Sequence, residues 1–239
     1  MQTILTALAA GLFPFFCTGA GAAAVFFLRR NSPPSLTRMV DGFAGGVMMA
    51  ASVFSLLLPA IQASPERPWL ASCAGLVLGA WLLLRLEVWA ERLMGGRRDK
   101  GFRLFLGITL HNLPEGMVVG LAAASGGLTG AAALALGIGL QDLPEGAAVS
   151  LPLCRAGKGK GKAFGAGVLS GLPEPVGAVL AAAAAVWLRG AMPWALSLAA
   201  GAMICVTIQE LLPDATGEKD GLTGFLAGFA LMMAMDITF

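Results

Sequence analysis

The sequence predicts an all-α polytopic membrane protein in which eight transmembrane helices form an inverted repeat of three, two and three spans. The composition is that of a membrane protein, because 57% of the 239 residues are hydrophobic and only 13% are charged. Eight apolar segments of spanning length follow one another along the chain. Matching polar motifs in the fourth and fifth segments predict inverted symmetry about the loop between them, with three related spans on each side.

The eight predicted spans make up one transmembrane domain over residues 1–239, because no connecting loop is long enough to form a soluble domain. Their limits are about 3–28, 39–62, 69–91, 103–124, 129–152, 163–188, 192–213 and 222–239. The 33 glycines and the many alanines favour close packing between these helices.

The fourth and fifth spans each carry a polar motif inside an apolar run. Residues 111–116 read His-Asn-Leu-Pro-Glu-Gly, and residues 141–146 read Gln-Asp-Leu-Pro-Glu-Gly. A carboxylate at the middle of a lipid-spanning helix costs about 2.5–3.5 kcal/mol, and the motifs hold three of them beside the only histidine of the chain. A bound cation is the simplest compensation. The alternative, that these side chains only hold helices together, is usual for a lone Asn or Gln but not for two such motifs.

The spacing within each motif favours a metal site. On an α-helix His111, Asn112 and Glu115 share one face, with Glu115 between the other two. The second motif repeats this arrangement. Pro114 and Pro144 lack an N–H, so each is expected to leave a backbone carbonyl free one turn earlier, as in the discontinuous helices that form ion sites in membranes.

The two motifs are also expected to lie at the same depth. The loop Ser125–Thr129 is short, which predicts that the fourth and fifth spans are antiparallel neighbours. Asn112 and Asp142 lie fifteen residues on either side of Gly127 and should therefore face each other. The polar side chains then extend over roughly 9 Å of helix axis, which is room for two adjacent metal ions.

Three further acids lie in later predicted spans: Glu174 between two prolines, Glu210 after Gln209, and Asp236. Six unpaired intramembrane carboxylates would cost on the order of 15–20 kcal/mol. The predicted spans do not contain enough Lys or Arg to pair with these carboxylates, so metal ions, protons or water must neutralise or solvate them. Met48 in the second span is a further candidate ligand, although methionine in an apolar helix usually fills space.

The basic residues predict the orientation in the membrane. Thirteen Lys and Arg residues fall in loops on one side of the predicted bundle, and only Arg67 and Arg189 fall on the other. Since basic loops stay in the cytoplasm, both termini are expected outside it. Topology accounts for these loops, so they indicate no nucleic-acid partner. The thirteen are Arg29, Arg30, Arg38, Arg92, Arg97, Arg98, Lys100, Arg103, Arg155, Lys158, Lys160, Lys162 and Lys219.

The two motifs resemble those of the ZIP family of divalent metal transporters, most closely its bacterial GufA-like members. The resemblance extends over the full chain and implies a binuclear metal site. It implies that one metal is held by His111, Glu115, Gln141 and Glu145, with Met48 nearby. It implies that a second is held by Asn112, Asp142 and Glu174, with Glu115 and Glu145 as bridges. Further residues resemble family positions along the cytoplasmic exit or at an accessory metal site, namely Met203, Gln209, Glu210 and Asp236.

The sequence departs from the family pattern at two positions, because many members have histidine where Gln141 and Gln209 stand. It also lacks the histidine-rich loop that many members carry after the third span. Imidazole suits zinc, whereas oxygen ligands suit other divalent metals comparably well. The transported ion is therefore expected to be Zn²⁺, with Cd²⁺, Mn²⁺, Fe²⁺ and Co²⁺ left open.

The function that the resemblance implies is zinc uptake across the plasma membrane, the inner membrane of a bacterium, into the cytoplasm. The family is thought to work by alternating access, with spans 1, 4, 5 and 6 moving against the others. A broad-specificity carrier, a selective metal channel, proton coupling and the oligomeric state, a homodimer included, stay open. An enzyme is not expected, because a single histidine excludes the His-Glu-x-x-His metalloprotease motif.

Overall fold

The fold comes from a computed structural model that describes residues 2–27, 33–64, 67–93, 100–185, 190–213 and 219–238. Within these ranges the regular secondary structure is entirely helical. The α-helices in chain order are α1 (Gln2–Ala22), α2 (Ala24–Phe27), α3 (Pro34–Ala51), α4 (Leu58–Gln62), α5 (Pro68–Leu93), α6 (Lys100–Arg155), α7 (Lys160–Gly171), α8 (Pro173–Ala183), α9 (Met192–Val206) and α10 (Lys219–Thr238). Two π-helical turns, Ser52–Leu57 and Thr207–Leu211, follow α3 and α9.

Six helical stretches within the described ranges are long and apolar enough to cross a membrane. They are Gln2–Phe27, Pro34–Gln62, Pro68–Leu86, Lys160–Ala183, Met192–Gln209 and Lys219–Thr238. The predicted fourth and fifth spans both fall inside α6, which is not among the six. The structure therefore gives an all-helical chain with six candidate spans, and the prediction of eight spans in an inverted repeat stays a prediction.

Helix α6 folds back on itself at Gly127. This residue has φ 64° and ψ −150°, a conformation that glycine adopts readily because it has no Cβ. His111 Nε2 lies 3.5 Å from Glu145 Oε1, although a straight helix would separate the two residues by about 51 Å. The two arms of α6 are therefore antiparallel, and we call them the first arm (before Gly127) and the second arm (after it).

The prolines of the two motifs do not break the arms. Helical dihedral angles continue through Pro114 and Pro144, and Gly127 is the non-helical point within α6. The expectation of a discontinuous helix at each motif is therefore wrong. Each proline still lacks an N–H, so what it removes is one backbone donor rather than the helical course of the chain.

The described chain divides into two compact units. The first contains α1, α2, the part of α6 from Ile108 onwards, α7, α8 and the end of α10 from Met235. The second contains α3, α4, α5, the start of α6, α9 and α10 up to Ala234, together with both π-helical turns. Each unit has its own packed core.

The core of the first unit is built from small side chains. Helix α1 packs against α7 and α8. Alanines of α1, α8 and both arms form one buried cluster with Val119 and Ile138. Small residues let helix backbones approach closely and pack tightly. In lipid this packing stabilises helix association, because lipid is as apolar as the side chains and gives no hydrophobic driving force.

The second unit uses glycine in the same way. Helix α5 packs against α9, where a Cβ on Gly79 would overlap the carbonyl of Leu198. A Cβ on Gly42 of α3 would likewise overlap the carbonyl of Gly221 in α10. The first residue of each π-helical turn, Ser52 or Thr207, carries a buried hydroxyl that donates to the carbonyl four residues earlier. The two π-helical turns lie within the predicted second and seventh spans.

Candidate metal centre

The first group of polar side chains joins the two arms of α6. His111 Nε2 lies 3.1 Å from Glu115 Oε1 on the same arm and 3.5 Å from Glu145 Oε1 on the other. One ligand atom from each of these three buried residues lies within 4.8 Å of the others, a separation that a shared cation can span. The i, i+4 spacing of His111 and Glu115 places both on the face of the first arm that meets the second.

Gln141 completes this group from the second arm. Its amide nitrogen Nε2 donates to Glu115 Oε1. Because a carboxylate oxygen only accepts hydrogen bonds, the nitrogen rather than the oxygen of the amide must face Glu115. Gln141 Oε1 is thereby left as an acceptor, buried and without a hydrogen-bond partner among the described residues.

The second group is centred on Asn112 and Glu174. Asn112 Nδ2 donates to the carbonyl of Ser170 and to Glu174 Oε1, each over 3.0 Å. Both partners are acceptors, which fixes the orientation of this amide in the same way. Asn112 Oδ1 therefore points away from them, buried and without a donor in the described part of the chain.

Glu174 reaches this position because the chain is interrupted between α7 and α8. Leu172 lies in a turn, and its N–H donates to the carbonyl of Leu169, three residues earlier. Pro173 begins α8 and Pro175 follows inside it, and neither has an N–H to donate. The carboxylate of Glu174 is thereby buried in the first turn of a new helix.

A residue of α1 holds the same carboxylate from another side. Thr18 Oγ1 donates to Glu174 Oε1 over 3.0 Å and is 3.1 Å from the carbonyl of Pro14. Thr18 is completely buried. No motif in the sequence pointed to this residue, because its partner lies 156 residues away along the chain.

Asp142 lies beside Gln141 on the second arm and is fully buried. Neither of its carboxylate oxygens has a hydrogen-bond donor in the described ranges. It interacts electrostatically with the carboxylates of Glu174, Glu115 and Glu145. These four buried acids repel one another, and the donors that reach Glu115 and Glu174 contact only one oxygen of each. A divalent cation would offset that repulsion in the smallest volume.

The free acceptors of the two groups are oxygens of the kind that bind divalent metal ions. In these two groups, the buried oxygens without a hydrogen-bond donor among the described residues are Asn112 Oδ1, Glu115 Oε2, Gln141 Oε1, Asp142 Oδ1 and Oδ2, Glu145 Oε1 and Oε2, and Glu174 Oε2. The imidazole nitrogen of His111 adds the kind of ligand that zinc and related metals prefer. An arrangement of this kind can strip a divalent cation of its water and hold it inside an apolar bundle.

The glycine that ends each motif brings a neighbouring helix close to the site. A Cβ on Gly116 would overlap the backbone carbonyl of Glu174 in α8. A Cβ on Gly146 would overlap the carbonyl of Thr18 in α1. Helices α8 and α1, which carry Glu174 and Thr18, can therefore pack directly against the arms.

The structure places the predicted residues in three ways. Seven lie together and buried in the first unit: His111, Asn112, Glu115, Gln141, Asp142, Glu145 and Glu174. Met48 and Met203 are buried in the second unit, and Gln209 is exposed there in a π-helical turn. Asp236 is half-buried in the last turns of α10, and the side chain of Glu210 lies outside the described residues.

Comparison with known proteins identifies the family. The model of the family described as ZIP Zinc transporter matches residues 91–236. Zinc transporter ZIPB of Bordetella bronchiseptica is 38% identical over 254 aligned positions, which cover 95% of this chain and 79% of that protein. The chain belongs to the ZIP zinc transporter family.

Other ZIP proteins match to different extents. Zinc transporter GufA of Myxococcus xanthus is 32% identical, with 97% of this chain and 98% of GufA covered. Human zinc transporter ZIP11 is 44% identical over 143 positions, which are 56% of this chain and 42% of ZIP11. The family prediction made from the two ZIP motifs is therefore confirmed. The matched region contains both arms, α7 and α8, whereas Thr18 lies before it.

Proposed function

We propose that this protein is a transporter that carries Zn²⁺ across the plasma membrane into the cytoplasm and that it is not an enzyme. The observation that carries the proposal is the buried group of His111, Glu115 and Glu145, whose ligand atoms lie within 4.8 Å of one another. The zinc transporters to which the chain is similar support the choice of metal and of transport.

The cargo binds at two adjacent positions. The first metal is held by His111, Gln141 and the bridging carboxylates. The second is held by Asn112, Asp142 and Glu174, with Glu115 and Glu145 shared between both positions. The hydrogen bonds support this division, because the first set is linked through Glu115 Oε1 and the second through Glu174 Oε1. Exit or accessory roles for Met203, Gln209, Glu210 and Asp236 belong to the same proposal.

The chain crosses the membrane eight times with both termini outside, through the six candidate spans and the two arms of α6. The two compact units support alternating access as the mechanism. The first unit collects the predicted spans 1, 4, 5 and 6, which are the helices expected to move as a group, and the second collects most of the remainder. All seven buried candidate ligands belong to the first unit and would move with it.

The metal preference depends on Gln141, which offers an amide oxygen where an imidazole would favour zinc. A carrier of broader specificity for Cd²⁺, Mn²⁺ or Fe²⁺ is therefore the second candidate. A selective channel is a third, but buried sites with many ligands favour slow, saturable carriage.

Uptake by purified protein in liposomes tests the proposal. The protein would be reconstituted and presented with Zn²⁺, Cd²⁺, Mn²⁺, Fe²⁺ and Co²⁺ separately and in competition, and bound metal would be counted in detergent. We expect about two Zn²⁺ per chain and saturable Zn²⁺ uptake. Non-saturating flux would indicate a channel, and a preference for another ion would favour the second candidate. A protein that binds no metal would contradict the proposal altogether.

A homodimer is a separate prediction, which the mass of the detergent-solubilised protein would test.

A further inference from the structure

The carboxylate of Glu174 is held by two donors at the same oxygen. Thr18 Oγ1 and Asn112 Nδ2 each lie 3.0 Å from Glu174 Oε1. They come from different helices, since Thr18 belongs to α1 and Asn112 to the first arm. The other oxygen, Glu174 Oε2, is buried and has no donor among the described residues.

We propose that Thr18 is a positioning residue for the metal site: its hydroxyl fixes the Glu174 carboxylate so that Oε2 faces the second metal. This inference rests on the proposed function. A 180° rotation about the bond to the carboxylate carbon would exchange two equivalent oxygens and keep the same hydrogen bonds. Any smaller rotation would break the hydrogen bonds from Thr18 and Asn112. The carboxylate is therefore held in the one plane that offers an oxygen to the metal before the metal arrives.

The same contacts orient Asn112. Its two amide hydrogens are used by Glu174 Oε1 and the carbonyl of Ser170. If the Glu174 carboxylate turned away, the Asn112 amide would lose one of the two acceptors that fix its orientation. Asn112 Oδ1 would then no longer be held pointing away from Glu174 and Ser170. Thr18 therefore acts on two of the proposed ligands through a single hydrogen bond. Outer partners of this kind typically govern metal affinity by 10- to 100-fold.

Other buried hydroxyls of the chain show what a merely structural role looks like. Ser52, Ser197 and Thr207 each donate to the backbone carbonyl four residues earlier, and nothing else is bonded to these hydroxyls in the described ranges. Thr18 Oγ1 lies 3.1 Å from the corresponding carbonyl, that of Pro14, and 3.0 Å from a carboxylate on another helix, so its single hydrogen has a second acceptor that the other hydroxyls lack. The backbone contact alone would not require a residue that also faces Glu174.

Two substitutions separate the hydroxyl from the shape of Thr18. Thr18→Val keeps the branched side chain, which packs tightly beside Gly171, and removes the donor. Thr18→Ser keeps the donor and removes the methyl group. In the detergent-solubilised protein, Zn²⁺ titration of Thr18→Val should show affinity for the second metal, the binding step that Glu174→Ala removes, weakened by about 10- to 100-fold. The other step should change by less than about threefold, and Thr18→Ser should restore parental binding at both.

Zinc uptake in liposomes then shows whether Thr18 acts through Glu174. Thr18→Val should raise the KM for Zn²⁺ in the parent but have no further effect when Glu174→Ala is already present, because the group that it orients is gone. An equal effect in both backgrounds would overturn the inference. The matched control is Ser197→Ala, which removes a buried hydroxyl that donates to the carbonyl of Pro193. This variant should leave Zn²⁺ binding unchanged.

The outcomes distinguish this inference from the function on which it rests. A parent protein that binds fewer than two Zn²⁺ would contradict the binuclear site and the role of Thr18 together. A parent with two Zn²⁺ and a folded Thr18→Val variant with unchanged binding would overturn only the role of Thr18. If Thr18→Val does not fold, Thr18→Ala removes the same hydroxyl without filling its space, and the same comparison with Thr18→Ser applies.

Discussion

At the scale of single residues, Glu115 and Glu145 have the greatest number of proposed roles. Glu115 Oε1 contacts both His111 and Gln141, and Glu145 Oε1 contacts His111 from the opposite arm. If both carboxylates bridge the two metals, Glu115→Ala and Glu145→Ala should each reduce Zn²⁺ uptake to the background of empty liposomes. The loss should exceed the 10- to 100-fold that outer partners cause. A folded variant of either kind that transports at the parental rate would exclude a bridging role for that residue.

The division of ligands between the two positions gives a second prediction. Glu174→Ala removes one anionic ligand from the second position and leaves the group around His111 intact. It should lower bound metal from about two to about one per chain and slow uptake without abolishing it.

His111→Ala should do the converse. It should spare the second metal but damage transport more, since the first position loses its only imidazole. Anomalous diffraction at the zinc edge would show which metal each variant loses. Loss of the same peak from both variants, or of neither, would mean that the ligands are divided in another way.

A third prediction concerns metal selectivity at Gln141. Its amide oxygen is the buried acceptor left free at this position. Gln141→His would offer an imidazole facing His111 and should raise the ratio of Zn²⁺ to Mn²⁺ uptake by about tenfold, because imidazole is the better ligand for zinc. Competition uptake of both ions by one liposome preparation measures the ratio directly. An unchanged ratio would place this side chain outside the ligands of the metal.

The motif residues could be found from the sequence because helical periodicity alone places them on one face. His111 and Glu115 are one turn apart, and the equal spacing of Asn112 and Asp142 from Gly127 predicts that the second motif lies at the same depth as the first. Thr18 could not be found in this way. Its contact with Glu174 exists only because α1 packs against α7 and α8, and no local pattern of residues encodes that packing. That the assembled side chains bind metal stays a prediction.

At the scale of helices, the glycine that ends each motif is expected to set the distance between an arm and its neighbour. Gly116→Ala places a methyl group against the carbonyl of Glu174. Overpacking of this kind costs about 1–3 kcal/mol, so the variant should melt at a lower temperature than the parent. It should also bind the second metal more weakly, because relief of the overlap moves the first turn of α8.

The matched control lies on the second arm of the same helix. Apart from the neighbouring residues of its own helix, no atom of the described residues lies within 4 Å of the place where a Cβ on Gly137 would stand. Gly137→Ala should therefore leave metal binding unchanged and keep or raise the melting temperature, since alanine favours a helix by about 1 kcal/mol over glycine. Equal destabilisation by both substitutions would point to a general sensitivity of α6 rather than to the contact with Glu174.

Sequence patterns predicted some features of the helices and missed others for identifiable reasons. The turn of α6 was expected because glycines and a serine separate two apolar runs, and Gly127 adopts the positive φ that such a turn needs. The unbroken arms were not expected. The missing N–H of Pro114 or Pro144 removes one hydrogen bond, which a tightly packed helix tolerates. The π-helical turns after α3 and α9 each contain one extra residue per turn, which no apolar periodicity shows.

At the scale of the whole molecule, apolar composition predicted a helical membrane protein, and six candidate spans with the family assignment support that class. The division into two compact units was not apparent from hydropathy, which treats all apolar segments alike. The units are discontinuous in sequence, so only the packing between distant helices defines them. Hydropathy also cannot say which side of the membrane each loop faces, and that question is left to the placement of charges.

The charge distribution makes the last prediction, that both termini lie outside and the basic loops inside. With the native Cys17, Cys73, Cys154 and Cys205 replaced by serine, single cysteines would be introduced at Arg97 and at Lys160. Because thirteen basic residues are predicted on that side against two on the other, both cysteines should react in intact cells with a membrane-permeant maleimide but not with an impermeant one. Arg97 lies outside the described residues and Lys160 begins α7. A cysteine at Arg67, on the opposite face, is the control and should react with both reagents. Labelling of both test positions by the impermeant reagent would show that the orientation is the reverse of the predicted one. Labelling of only one would show that an odd number of spans, not two, separates them.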